Sequence, residues 1–490
     1  MKYHRAILGG LFFAIVLLFG ARIGRAQDEP QQPADTMPKP AARSTPIPII
    51  DTGNPLADNG VEDAANRLRP DATPLTGLQN ATLGTPNLQH SYWVPGFQYA
   101  NTIRSNGYNQ PNTSGWFATN YLIANVSLLQ AWRRSQLAVN YSGGGYFSTN
   151  SAQTNGGQSN GNYQLLSLSQ TFQSNRWLVQ ILDEFSYLPQ TQFGFGGGTN
   201  LGVPGIAGAL GPTVPGLGGG TVPNQSIYAS AGPRLSNTGV IQSTYTVSPR
   251  SSITASGSYA LLHFVQSGNI DNNSVSGSLG YNYQLDSKNS LGLQYRFSNY
   301  QFPGEPQAFT NSAVNIAYGR KITGRLALQL SGGPEYTTFR VPIGTQSSKL
   351  EPNANANIIY GFENGSFSAG YLHGLAGGSG VLTGSTADRV NFAATRRLGH
   401  IWSGDLNFGY AHNKTVANSG QAGLPTYNSW FAGGGVSRPI GRDLNLAVSY
   451  TADIFGFSQP GCAGATCSSN QTSNYITLSF QWHTRPFVLP

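Results

Sequence analysis

The sequence predicts an all-β fold, a transmembrane antiparallel up-and-down β-barrel of about 18 strands, with about 16 strands as the alternative. Three observations predict it. Stretches of about ten residues alternate between apolar and polar side chains, short turns alternate with long loops, and charged residues make up only 10% of the chain. A soluble globular domain carries about 25% charged residues. The composition therefore fits a sheet with one apolar face and one uncharged polar face.

The alternation is clearest at residues 290–298. Leu291, Leu293, Tyr295 and Phe297 share one face of the predicted strand, and Gly, Gln, Arg and Ser fill the other. Successive side chains of a strand point to opposite sides of the sheet, so this segment is predicted to be a two-faced strand. The same alternation is present at 275–285, 445–453 and 475–482.

The connections between strands predict which side of the membrane each end faces. Short turns are predicted near residues 132–135, 174–176, 248–250, 286–289, 322–324, 363–365, 398–401 and 440–443. Long Gly/Asn/Ser/Pro loops are predicted near 149–161, 188–233, 265–273, 302–308, 340–350, 374–386, 413–427 and 457–472. Strict alternation of short periplasmic turns with long external loops is typical of bacterial outer-membrane barrels.

The same connections give the strand count. The turns account for about 16 strands between residues 114 and 456, and residues 474–482 add one more. Single-chain bacterial barrels have an even number of strands, so residues 90–104 are predicted to be the missing partner. Trp132, Trp177 and Trp402 lie beside short turns, whereas Trp116 and Trp430 lie near long loops. This placement predicts one aromatic girdle at each membrane interface.

Three segments are predicted along the chain. Residues 1–26 have a basic start, an apolar run of about 16 residues and a small-x-small cleavage motif, and are predicted to be a signal peptide. The run is shorter than the roughly 20 residues that a spanning helix needs. Residues 27–90 are rich in Pro, Ala, Asp and Thr and are predicted to be a flexible periplasmic segment. Residues 91–490 are predicted to be the barrel.

The net charge of +8 does not indicate a nucleic-acid surface, because the basic residues are spread along the chain and lie mostly near short turns. Cys462 and Cys467 lie in a Gly-Ala-Ser loop of an exported chain, so they are predicted to form a disulfide. No His or acidic residue flanks them, and no metal or cofactor is predicted.

The interior of a barrel this wide is predicted to be an aqueous channel unless a segment plugs it. Strand parity points five charged residues inward: Arg296, Arg389, Glu184, Asp405 and Asp453. Inward charges can set ion selectivity, or they can simply hydrogen-bond within a wet barrel wall. The long loop at 188–233 is Gly- and Pro-rich, and it either folds inward to narrow the lumen or stays outside.

Asp183 is the exception to the alternation. It lies on the apolar face that Trp177, Val179, Ile181 and Phe185 define. An acid that faces lipid at mid-depth is costly. A β-bulge or a contact between protomers would relieve this cost, and the sequence leaves both open.

Over residues 91–483 this pattern resembles the porin-like outer-membrane barrels, without the sequence signature of any one family. Such barrels usually end in an aromatic residue that the assembly machinery reads, and here Trp482 and Phe487 are both candidates. The resemblance implies an outer-membrane channel for passive diffusion of small polar solutes. Its implied partners are outer-membrane lipids, the barrel-assembly machinery and the solutes, and a homo-oligomer is left open.

Two alternatives to a channel remain. The first is a surface adhesion or envelope-structural barrel whose lumen is occluded. The second is an outer-membrane lipid hydrolase, because His263, His373 and His412 lie on the lipid-facing parity near the outer ends of strands. These histidines are predicted to lie on strands that are not immediate neighbours, so no catalytic residue is predicted.

Overall fold

The computed structural model describes residues 91–105, 116–148, 160–188, 194–195, 227–228, 234–265, 269–323, 325–340, 347–362, 364–377, 383–416, 426–441, 443–458 and 468–489. The predicted signal peptide, the 27–90 segment and the Cys462–Cys467 pair lie outside these residues, so those three expectations stay predictions.

The described chain forms one 19-stranded antiparallel sheet, of which β21 is a three-residue terminal strand. The other 18 strands form the barrel wall, which confirms the predicted number. The wall strands are β1 (Ser91–Ser105), β2 (Trp116–Ala131), β3 (Ser135–Ser148), β4 (Asn160–Gln173), β5 (Trp177–Leu188), β8 (Arg234–Ser248), β9 (Ser251–Phe264), β10 (Asn272–Gln284), β11 (Asn289–Gln301), β12 (Ala308–Lys321), β13 (Leu326–Arg340), β14 (Ser347–Phe362), β15 (Gly365–Ala376), β16 (Ser385–Leu398), β17 (Trp402–Thr415), β18 (Thr426–Ile440), β19 (Leu444–Ser458) and β20 (Ser468–His483). The short strands are β6 (Gly194–Phe195), β7 (Ile227–Tyr228) and β21 (Phe487–Leu489).

The sheet closes on itself. Each wall strand pairs with the next one along the chain, and β20 returns to β1 over the register Gly96↔His483 to Ser105↔Asn474. Across this seam the hydroxyl oxygens of Thr102 and Thr477 lie 3.0 Å apart. Closure pairs the backbone N–H and C=O groups of the wall, which lipid cannot satisfy. The described residues include no helix long and apolar enough to cross a membrane.

The two faces of the wall differ as the sequence predicts. On β11, Leu291, Leu293, Tyr295 and Phe297 are 39–55% exposed, whereas the alternate residues Ser290, Gln294 and Ser298 are buried. On the neighbouring strand β12, Val314 and Ile316 are 45% and 61% exposed. Exposed aliphatic and aromatic side chains therefore cover the outside of the barrel, which is the surface that contacts lipid.

The short turns lie where the sequence predicts them. In the turn between β10 and β11, the Asp286 carboxylate accepts hydrogen bonds from Asn289 Nδ2 (2.8 Å) and from the backbone N–H of Lys288 and Asn289. These hydrogen bonds hold the pKa of Asp286 below its usual value, and the bond from the Asn289 side chain has the largest effect. Gly399 and Gly441 adopt φ of +75° and +74° in two other turns, a conformation that favours glycine.

The wall around Asp183 is regular. Asp183 pairs with Leu168 on β4 and with Gly239 on β8, and both ladders continue without a register shift on either side of it. The predicted alternative of a β-bulge at Asp183 is therefore wrong. The described bulge lies between β8 and β9, at residues 246–248.

Beyond β20 the chain continues along β1. β21 pairs with the first residues of β1, Phe487 opposite Trp93, and their rings stack with centroids 5.1 Å apart. Trp482 lies opposite Phe97 on the same seam. Both candidate terminal aromatic residues thus pack beside β1.

The ends of the wall strands test the predicted topology. In a parent chain with Cys462 and Cys467 replaced by Ser, we expect Glu305→Cys on the long-loop side to react with a membrane-impermeant thiol reagent on intact cells. Ser287→Cys in a short turn is expected to react only after the outer membrane is permeabilised. Both positions are exposed, so a difference reports sidedness. Gly399 is avoided because its positive φ strains a side chain. The reverse labelling pattern would contradict the orientation.

Candidate functional site

The inner wall is polar but unevenly accessible. Asn272, Asn282, Asn413 and Thr254 point inward and are fully buried. A wide, water-filled lumen would leave such side chains wet. Along these parts of the wall the inward side chains instead pack against other atoms of the protein, so the lumen is less open there than the sequence analysis predicts.

The inward side chains of β16 and β17 are more exposed between the middle of the two strands and the short turn that joins them. Asn391 on β16 and Asn407 on β17 are exposed, although both are on the inward face opposite the exposed Phe392 and Leu406. Asp405, two residues from Asn407 on β17, is half-buried and accepts a hydrogen bond from Asn407 Nδ2 at 3.2 Å. Water therefore reaches uncharged polar groups and one carboxylate between the middle of this wall and its short turn.

Arg296 points inward as predicted, but it is not an isolated lumen charge. Its Nη2 lies 3.2 Å from Glu335 Oε1 on β13, two strands away, and the two side chains are 13% and 3% exposed. Glu335 Oε1 also accepts a hydrogen bond from Asn311 Nδ2 on the intervening strand. Glu335 was not predicted to point inward. The sequence indicates this only through strand parity, which places Glu335 on the same face as the inward Thr337 and Phe339.

Glu335 also reaches a third strand. Its Oε2 accepts a hydrogen bond of 3.2 Å from the backbone N–H of Leu375 on β15. This N–H is available because the β14–β15 ladder ends at Ala354↔His373. Glu335 thus satisfies a donor that the ladder leaves unpaired.

An aromatic cluster lies inside the barrel beside this network. Tyr300, Phe302, Phe309 and Phe339 are buried against one another, with ring centroids 4.5–6.1 Å apart, and Leu375 packs on them. All lie at the long-loop end of the wall. These inward aromatic residues were not predicted, because the sequence pattern indicates an uncharged polar face on the inside of the barrel.

The other predicted lumen charges lie as parity indicates. Arg389 on β16 and Asp453 on β19 point inward, and each is 8% exposed. Glu184 occupies a register position on the same face of β5 as the buried Gln180 and Ser186. Whether any of these charges acts on a passing ion stays a proposal.

Two short strands, β6 and β7, are described between β5 and β8. β6 pairs with β7, and β6 comes within 8 Å, Cα to Cα, of β17 and β18. These strands lie opposite β5 and β8 in the closed sheet. β6 therefore lies near the side of the barrel opposite the two wall strands that its loop connects.

The three rim histidines each contact an oxygen acceptor through Nδ1. The partners are Asp271 for His263 (2.5 Å), Asp388 for His373 (2.7 Å) and Asn428 for His412 (2.6 Å).

The strands that carry the rim histidines are β9, β15 and β17, which are not immediate neighbours, as predicted. The residue between His373 and His412 was not predicted from the sequence. Asp388 on β16 lies directly opposite both His373 and His412, so the three side chains form one cross-strand row.

The rim row does not form a metal site. Among the residues that the structure describes, no three His, Cys, Asp or Glu side chains are grouped to hold a metal ion. In this geometry each histidine contacts a side-chain oxygen near the long-loop end of its strand.

No known protein family and no curated protein matches this sequence. Among solved structures the chain is similar to the outer membrane protein OpdK of Pseudomonas aeruginosa, at 9% identity and a TM-score of 0.39, over 80% of this chain and 99% of that one. It is also similar to a BenF-like porin of Pseudomonas fluorescens Pf-5, at 10% identity and a TM-score of 0.41, over 82% and 100%. Acinetobacter baumannii OccAB2 gives 11% identity and a TM-score of 0.39, over 80% and 98%.

The fold itself decides the location. A closed antiparallel barrel with an exposed apolar exterior is a structure that spans a membrane with strands. The protein is an outer-membrane β-barrel. It resembles porins in architecture, and it differs from a simple open pore in the paired charges and buried aromatic rings of its interior.

Proposed function

We propose that the protein is a porin-like channel through which small polar solutes diffuse passively across the outer membrane. The observation that carries the proposal is the water-accessible polar strip at Asn391, Asp405 and Asn407 inside a closed barrel. Uncharged amides solvate polar solutes without holding any one of them tightly. The paired Arg296 and Glu335 leave the β11–β13 part of the wall with little net charge, which fits weak ion selectivity.

We expect the 188–233 loop to limit conduction. Replacing residues 191–231 with a short Gly-Ser linker should raise the single-channel conductance in a planar lipid bilayer, because this removes β6, which lies within 8 Å of β17 and β18. The matched control is a shortening of the external 417–425 segment by the same method. An unchanged conductance after removal of residues 191–231 would contradict this role of the loop.

The parent protein in the same bilayer tests the channel itself. Stable conductance steps support the proposal, and silence of a correctly folded barrel contradicts it. Silence would favour the second candidate, a surface adhesion or envelope-structural barrel. The observation that favours that candidate is the buried aromatic cluster at Tyr300, Phe302, Phe309 and Phe339, which fills part of the interior.

We also propose that the protein is not an enzyme. Each rim histidine is hydrogen-bonded to a neighbouring side chain at the membrane interface, which is an ordinary role for an amphipathic ring. Hydrolysis of phospholipid vesicles by the purified protein would contradict this. The barrel-assembly machinery and outer-membrane lipids are proposed as its other partners, and no nucleic acid is.

A further inference from the structure

Asp183 places a carboxylate on the lipid-facing surface near the middle of the membrane. On β5 the alternate residues Gln180, Leu182 and Ser186 are buried toward the lumen, so Asp183 points outward. The neighbouring Ile241, which pairs with Ile181 on the same face, is 51% exposed. Asp183 itself is partly exposed.

The depth of Asp183 follows from strand geometry. It lies six residues above Trp177, which is itself 51% exposed beside a short turn. Six residues of strand span about 20 Å, or about 15 Å of height at a tilt of about 40°. The apolar band of such a barrel is about 25 Å tall, so Asp183 lies close to its midplane.

The hydrogen bonding of the carboxylate is incomplete within the described chain. Asn237 Nδ2 on β8 donates to Asp183 Oδ1 at 3.3 Å. An ionised carboxylate has about four acceptor sites, and hydrocarbon offers no donor for the others. The ladders on both sides are regular, so no bulge turns the side chain away from lipid.

Three glycines lie on the outward face beside the pair, next to the exposed Tyr259 and Ile241. Gly239 lies directly opposite Asp183, and a Cβ atom there would lie 3.4 Å from Asp183 Oδ2. Gly257 and Gly277 pair with each other on the next two strands of the same face, and a Cβ atom at either would meet nothing closer than 3.6 Å. Small residues let the backbones of two membrane proteins approach closely.

We propose that this patch, Asp183, Asn237, Gly239, Gly257 and Gly277, is the contact surface for a second copy of this chain. The patch carries an acceptor and a donor side by side at similar depth, so it is self-complementary. A two-fold axis along the membrane normal would set Asn237 of each copy against Asp183 of the other. This contact would supply the donors that lipid lacks, and it does not depend on whether the lumen conducts.

The face formed by β11 and β12 is the matched control. Leu291, Leu293, Val314 and Ile316 cover it with exposed apolar side chains and no acid. A photoreactive amino acid at Ile241 is expected to crosslink two copies of this chain in the outer membrane. The same residue at Ile316 is expected to give none, although Ile316 is more exposed, at 61%.

Substitutions of Asp183 then separate recognition from proximity. Asp183→Asn keeps hydrogen-bonding capacity and should keep the crosslink, whereas Asp183→Leu should lower its yield at least tenfold. Leucine is favourable on a lipid face, so the variant barrel should fold, which its heat-dependent gel mobility checks. Equal dimer from Ile241 and Ile316, a different protein in the product, no dimer from a folded parent, or an unchanged yield in Asp183→Leu would each overturn the proposal.

Discussion

Replacing Arg296 with glutamate is expected to destabilise the barrel by about 3–5 kcal/mol, the cost of breaking a buried ion pair by removing one partner. The substitution would place two carboxylates side by side at a site where Glu335 is 3% exposed. The free energy of unfolding in lipid vesicles, followed by tryptophan fluorescence during a urea titration, measures the loss. Strand parity alone would predict a harmless change of lumen charge, because it does not show Glu335.

Two variants serve as controls for this prediction. Arg296→Lys keeps the positive charge near Glu335 and should cost less than Arg296→Glu. Arg296→Met combined with Glu335→Leu removes both charges, and its cost should be smaller than the sum of the two single substitutions, because no charge is left unpaired. If Arg296→Glu is as stable as the parent, Glu335 is not held by this ion pair and the network has been misassigned.

Replacing Leu293 with arginine is expected to impair assembly, at a cost of roughly 2–4 kcal/mol, because the charged side chain must be transferred from water into hydrocarbon near the bilayer midplane. Leu293 is 55% exposed on the outer face and pairs with the exposed Ile316. The amount of folded barrel in isolated outer membranes, read from heat-dependent gel mobility, measures the effect.

The matched control for this prediction changes only depth. Leu285 is 47% exposed beside the short turn after β10, at the membrane interface. Leu285→Arg is expected to cost about 0–1 kcal/mol, since a long basic side chain there reaches water. Equal assembly of Leu293→Arg and Leu285→Arg would show that the β11 face does not contact hydrocarbon.

The local pattern of this sequence was sufficient for the wall. The side of the sheet on which Leu293 or Arg296 lies depends only on the two-residue period of a strand, which is visible in the sequence. The turns were equally readable, because residues such as Asp286, Asn289 and Gly399 have conformational preferences of their own. Their alternation with long loops then fixed the number of strands.

What the sequence could not show is which inward side chains meet. Parity places Arg296 and Glu335 on the same face, but only the register of β11, β12 and β13 brings them within 3.2 Å. The row His373, Asp388 and His412 depends on register in the same way. Contacts across the lumen, such as that of β6 with β17, join residues distant in sequence.

The sequence by itself therefore determined the closed antiparallel barrel, its two faces and its strand count, because these follow from interactions between residues close along the chain. Only the tertiary structure decided that Arg296 is paired, that aromatic rings fill part of the interior and that Asp183 has no bulge to shield it. The physical reason is that strand pairing and barrel closure set the height and the neighbours of every inward side chain, and a two-residue period carries no information about either.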